Sequence, residues 1–253
     1  HASLDLLWSL HDVLAFAVES RNFMILEESS VDLPTSRGAM RTYVYRPKAA
    51  GRRPGVVLFS EIFQRTGPIG RTAAMLAGNG YVVAVPEVFH ELEPAGTVLG
   101  YDQAGADAGN QHKVGKTIAA FDEDARVVLD HLAGREDCDG KLLSFGVCLG
   151  GHLAFRCAFD RRVRGAACFY ATDIHKGSLG SGGDDSLARA GEIEGELLMV
   201  WGRQDPHVPD AGRAKIQARL LETQRRFTWH EFNAAHAFLR DEGPRYDPEL
   251  ALL

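Results

Sequence analysis

One cysteine has glycine two positions away on each side: Gly146-Val147-Cys148-Leu149-Gly150. This is the nucleophile-elbow pattern G-x-nucleophile-x-G, with cysteine where serine is usual. A sharp strand-to-helix turn crowds the backbone, so the positions two residues either side must be small. The nucleophile then stands at the top of the turn with its side chain exposed. A helix N-terminus behind it would lower the thiol pKa through unpaired N–H groups and the helix dipole. The N–H of Leu149 would give half of an oxyanion hole. The plainer alternative is a buried cysteine in a Gly-rich turn. Partner order separates the two, because an elbow of this kind is followed by an acid and then a histidine, each on a loop after a strand. Asp205 lies in Gly202-Arg203-Gln204-Asp205-Pro206, after the apolar run 197–201, and His236 closes Asn233-Ala234-Ala235-His236, after the run ending at Phe232. Asp205 would orient the imidazole of His236, which would take the thiol proton. A fourth group is Glu61 in Ser60-Glu61-Ile62-Phe63, after the first strong apolar run. The N–H of Ile62 is the expected second oxyanion donor. Glu61 is either an ordinary surface charge at a strand end or a carboxylate whose burial needs a partner.

The elements that must position these residues alternate in type. Short apolar runs at 56–59, 81–85, 142–145, 165–170, 197–201 and 226–232 predict strands. Between them, helix-period spacing appears around 69–76, 118–132, 149–159 and 210–223. Continuous apolar strands separated by helices predict an α/β fold: a mostly parallel central sheet with helices on both faces. Residues 22–33 and 39–46 alternate in polarity like an antiparallel hairpin, and residues 1–20 fit an amphipathic helix. The first 35 residues thus form an N-terminal appendage. The Gly-, Ala- and Asp-rich stretch 87–115 is read as a long loop near the site. No repeat or linker divides the chain, so 1–253 is expected to be a single domain.

The chain has 253 residues, with 28 Lys+Arg against 34 Asp+Glu, a net charge of −6. Roughly 250 residues bury enough surface for a core without disulfides or metal. The acidic balance lacks a nucleic-acid footprint, and no stretch approaches the roughly 20 apolar residues of a membrane span. Cys138, Cys157 and Cys168 suit reduced, packed thiols, and no CxxC pair or H-E-x-x-H motif suggests a metal. The expectation is a cytoplasmic monomer with no cofactor or metal, acting on a small-molecule lactone or ester, with no nucleic-acid or membrane partner. Gly115-Lys116-Thr117 resembles the end of a P-loop, but residue 110 is Asn and no strand precedes it.

Glu61-Ile62-Phe63, the Cys148 elbow, Asp205 and His236-Ala237-Phe238-Leu239-Arg240 together resemble the dienelactone hydrolase family, an α/β-hydrolase family, over most of residues 38–241. The resemblance implies a Cys148-His236-Asp205 triad and a Glu61 that pairs with the resting thiol. It implies hydrolysis of an unsaturated lactone bearing a carboxylate, giving maleylacetate in aromatic degradation. Arg240 matches a carboxylate-binding position and Tyr170 a tyrosine lining the site, and these two with Phe63 of the E-I-F motif are the expected substrate-binding residues. Ala237 stands where the family has Ser, and Gln64 where it has Gly. A second family arginine has no counterpart in 87–115; Lys113, His90 and His112 are the cationic candidates there. The leading expectation is therefore a thioester hydrolase of dienelactone type. The alternatives are a general carboxylesterase or thioesterase of the same fold, and a redox-sensing protein using Cys148.

Overall fold

The computed structural model describes residues 24–252, so the amphipathic helix expected over 1–20 lies outside the described residues. Strands β1 (Leu26–Thr35) and β2 (Gly38–Pro47) form an antiparallel hairpin; β1 begins later than the polarity alternation suggests, and β2 matches it to within a residue at each end. Then follow β3 (Arg53–Phe59), α1 (Gly67–Gly78), β4 (Val82–Pro86), α2 (Gln103–Gly115), α3 (Ile118–Ala133) and β5 (Cys138–Val147). The chain continues through α4 (Leu149–Cys157), β6 (Val163–Phe169), β7 (Glu196–Gly202), α5 (Asp210–Glu222) and β8 (Phe227–Phe232). The eight strands make one sheet in the order β1-β2-β4-β3-β5-β6-β7-β8, parallel from β4 to β8.

Period-2 alternation divides the strand residues between two apolar layers. Val57, Phe59, Val82 and Ala84 point to a layer filled by Phe121, Val128 and Leu132 of α3, Leu153 of α4 and Ile216 of α5. Val56, Leu58, Val83 and Val85 point to the opposite layer, against Ile69, Ala73 and Ala77 of α1. Each fully buried side chain of this size contributes about 1.5–3 kcal/mol, so the layers hold the sheet with no crosslink. Cys138, Cys157 and Cys168 are free and buried. Trp201 is buried in β7, with the ring of Trp229 5.3 Å away.

The stretch 87–115 is not a loop throughout: 87–102 is irregular, but Gln103–Gly115 is helix α2. Its Gly, Ala, Asn and Gln residues leave no apolar stripe, so spacing could not reveal it. The helix starts because the Asp102 carboxylate accepts the Gly105 N–H at 2.8 Å. The Gly115-Lys116-Thr117 motif joins two helices, Thr117 capping α3 by accepting the Ala120 N–H at 3.2 Å. Lys116 is buried and donates to Val88 O at 2.8 Å and Asp124 Oδ2 at 2.6 Å. Among the described residues no helix is long and apolar enough to cross a membrane.

Candidate active site

The carboxyl ends of β3, β5, β7 and β8 lie along one edge, the usual ligand-binding edge of a parallel sheet. Cys148 follows β5 and precedes α4, with φ 57° and ψ −121°. Such a conformation costs a non-glycine residue about 1–3 kcal/mol and persists only where its surroundings impose it. The elbow glycines answer to the same crowding. A Cβ at Gly146 would lie 1.9 Å from Gly150 O, and one at Gly150 would lie 2.1 Å from Phe59 O. The Cys148 N–H donates to Phe169 O at 3.1 Å, tying the turn to β6. Leu149 is the first residue of α4, where an N–H has no acceptor within the helix.

His236 follows β8 and Asp205 follows β7; their side chains meet with His236 Nδ1 2.7 Å from Asp205 Oδ2. The second Asp205 oxygen accepts the His207 N–H at 2.8 Å. Burial works against a charged His236. The Cys148 sulfur, as charge and hydrogen-bond partner, and the Asp205 carboxylate outweigh it and raise the imidazole pKa to about 10. Burial would likewise raise the Asp205 pKa, but His236 and the His207 N–H hold it below the ordinary value. Asp205 and His236 thus form a hydrogen-bonded pair, and His236 and Cys148 line one cavity.

Glu61 faces the same cavity and is only 3% exposed. Burial raises its pKa, offset in part by Arg240, His236 and the Tyr101 hydroxyl. Arg240 Nη1 is 3.8 Å from Glu61 Oε2, and the Tyr101 hydroxyl is 3.4 Å from the same oxygen and 2.7 Å from Thr66 Oγ1. Among the described residues Glu61 makes no hydrogen bond to Cys148; its neighbours are Tyr101 and Arg240. The Arg240 guanidinium lies 4.3 Å over the Tyr101 ring and 5.9 Å from the Phe63 ring centre. Its Nε is buried without a hydrogen-bond partner.

A cavity of about 410 Å³ brings together Cys148, His236, Glu61, Ile62, Phe63 and Arg240. Tyr170 is not in its wall. With φ 38° at the end of β6 the ring turns inward, 1% exposed, and packs edge-on against His236 at 5.0 Å. Of the cationic candidates, His90 is buried on Asp124 and His112 faces Glu93 at 2.6 Å, both outside the cavity. Lys113 does line it, paired with Asp173 at 2.8 Å. Sequence reasoning missed Tyr101, His207 and Arg245, which also line the cavity. For Tyr101 a signal existed: it is the one aromatic between Leu92 and Phe121. Among the described residues no cluster of three or more His, Cys, Asp or Glu side chains could hold a metal.

A mostly parallel sheet with a cysteine elbow after β5, an acid after β7 and a histidine after β8 has the architecture of an α/β-hydrolase. The chain belongs to the dienelactone hydrolase family, whose profile matches residues 40–252. A Saccharomyces cerevisiae protein provisionally named carboxymethylenebutenolidase is 43% identical over 230 residues, 87% of this chain and 84% of that protein. The Rhodococcus opacus carboxymethylenebutenolidase is 29% identical over 201 residues, 78% of this chain and 75% of that one. A Klebsiella pneumoniae structure provisionally named dienelactone hydrolase superposes with a TM-score of 0.71 at 23% identity, covering 90% of this chain and 94% of its own.

Proposed function

We propose that this hydrolase opens a lactone or ester through a thioester on Cys148, and that an unsaturated lactone carrying a carboxylate, dienelactone opened to maleylacetate, suits the site best. The observation that carries the reading is Cys148 on its strained elbow in one cavity with His236, whose Nδ1 is 2.7 Å from Asp205. The Cys148 thiolate adds to the carbonyl carbon, and the oxyanion forms against the N–H groups of Leu149 and Ile62. Collapse breaks the acyl C–O bond, and the departing oxygen takes the proton from the His236 imidazolium. His236 then removes a proton from water, which attacks the thioester and releases the thiolate and the acid. Asp205 keeps the imidazole in the tautomer that both steps require. Arg240, flanked by Phe63 and Tyr101, binds the substrate carboxylate.

A thiolate is a good nucleophile and a good leaving group, so an activated ring such as an enol-lactone suits it better than an amide. Once freed, the protonated leaving oxygen is an enol, which tautomerises to a ketone that does not readily reclose. Cys157 and Cys168 are buried, and burial pushes both thiols far up. That argues against a resolving partner for a redox-sensing Cys148.

Hydrolysis of cis- and trans-dienelactone beside a neutral aryl ester tests the proposal, with Cys148→Ala and Cys148→Ser as controls. The expected result is a wild-type preference for the anionic lactones and a loss of at least about 10³-fold in both variants. Full activity in Cys148→Ala would sink the thioester route. Equal wild-type efficiency on the neutral ester would favour a general carboxylesterase or thioesterase.

A further inference from the structure

We infer that Gln64 is a positioning residue that clips the second half of the 87–102 segment over the site, so that Tyr101 can hold Arg240 in place. The inference rests on the proposed role of Arg240 in binding an anionic group. Gln64 directly follows Glu61-Ile62-Phe63, is 1% exposed, and has φ 64°. A glycine would take that conformation without strain, whereas another L-residue pays about 1 kcal/mol or more. The side chain explains why a strained residue is present. Its Nε2 donates to Thr97 O at 3.1 Å, and its Oε1 accepts the Phe89 N–H at 3.3 Å. Beside it, the Leu99 N–H donates to Phe63 O at 3.1 Å.

Residues 87–96 have anchors besides the Phe89 bond to Gln64: Lys116 binds Val88 O, and Glu87 accepts the Gly96 N–H at 3.0 Å. Residues 97–101 instead rest on the 63–66 turn, through Gln64, Phe63 O and the contact between Tyr101 and Thr66. The Tyr101 ring then packs edge-on to Phe63 at 4.8 Å and carries the Arg240 guanidinium at 4.3 Å. The order of support is thus Gln64, segment 97–101, Tyr101, Arg240. Gln64 itself does not line the cavity.

Two variants remove the amide while differing in backbone ease. Gln64→Met keeps the bulk and the strained φ; Gln64→Gly relieves the strain. Cys148 is alkylated in each with iodoacetate and with iodoacetamide, the sulfur displacing iodide in both cases, and the ratio of the two rates reads the anion preference at the thiolate. We expect the ratio to fall about fivefold in both variants, the factor set by one lost cation–π contact, with the iodoacetamide rate within about twofold of wild type. In a Tyr101→Ala background, Gln64→Met should add nothing, because the two act in one chain. Chymotrypsin should also cut after Leu99 or Tyr101 faster in both variants than in wild type. An unchanged ratio, or a ratio that falls independently in the two backgrounds, overturns the inference. Should wild type and Arg240→Ala show equal ratios, the Arg240 reading fails instead. The protease arm then decides for Gln64, and unchanged cutting in both variants overturns it.

Discussion

The two walls of the cavity are held by different physics. Cys148, Asp205 and His236 each stand one to four residues beyond a parallel strand, so the sheet and the crowded turns fix their places directly. The facing wall joins Glu61, Tyr101 and Arg240 from three distant parts of the chain, at 3.4 Å and 3.8 Å from one buried carboxylate oxygen. Backbone geometry dictates the first wall; in the second only Glu61 stands directly beyond a strand, β3, and Tyr101 and Arg240 are held against it by charge and burial. A main-chain-built wall tolerates little chemical change at its reacting atoms but keeps its shape. A side-chain-built wall can be retuned residue by residue, which suits the part of a site that selects substrates.

If the first wall carries the chemistry, its most damaging isosteric change is Asp205→Asn. The amide keeps the shape of the 2.7 Å contact with His236 but no longer stabilises the imidazolium or enforces its tautomer. The expected loss is about 10³–10⁴-fold in kcat on any ester, charged or neutral, by analogy with other triads. Steady-state kinetics on both substrate types measure it. A loss confined to anionic substrates would mean that the walls do not divide chemistry from selection.

Arg240→Ala attacks the other wall and should show the opposite signature. Losing a charged hydrogen-bond donor costs about 1.5–3 kcal/mol, so KM for an anionic lactone should rise about tenfold to a hundredfold. Efficiency on a neutral aryl ester should change far less. Arg240→Lys should recover only part, since lysine keeps the charge but not the planar fork. A comparable loss on neutral and anionic substrates would place Arg240 in the chemistry rather than in recognition.

The same division explains what could be read from the residues alone. Cys148, Asp205 and His236 were legible because their signals are local: Val147 precedes Cys148, Gly202 precedes Asp205 by three, and Phe232 precedes His236 by four. The strands and helices around them carried clean apolar periods. Helix α2 carried none, because it is capped by Asp102 and composed mostly of small and polar residues. Tyr101 belongs to the site through contact with Glu61, forty positions away, and no spacing rule reaches that far. Tyr170, with φ 38°, packs its ring against His236 and Phe238, an arrangement that no local spacing signals. Gln64 was visible only as a departure from the family glycine, and its two hydrogen bonds supply the reason.

The smallest effect expected here is on stability, and it tests whether the second wall is a liability to the fold. Burial raises the Glu61 pKa, and Arg240, His236 and Tyr101 offset this only in part. The folded protein therefore holds that proton more tightly than the unfolded chain does. Its contribution to stability is full below the ordinary carboxylate pKa of about 4.3 and is lost as pH rises through the raised folded value. Glu61→Gln cannot ionise, so its melting temperature should exceed that of wild type at pH 8, by about 2–4 °C for each kcal/mol relieved in a domain of this size. The gap should close as the pH falls towards 4. Thermal unfolding followed by circular dichroism at the two pH values measures both quantities. A Glu61→Gln protein no more stable than wild type at pH 8 would show that the 3.8 Å contact with Arg240 repays the burial of the carboxylate. The two walls would then differ in how they are built but not in what they cost the fold.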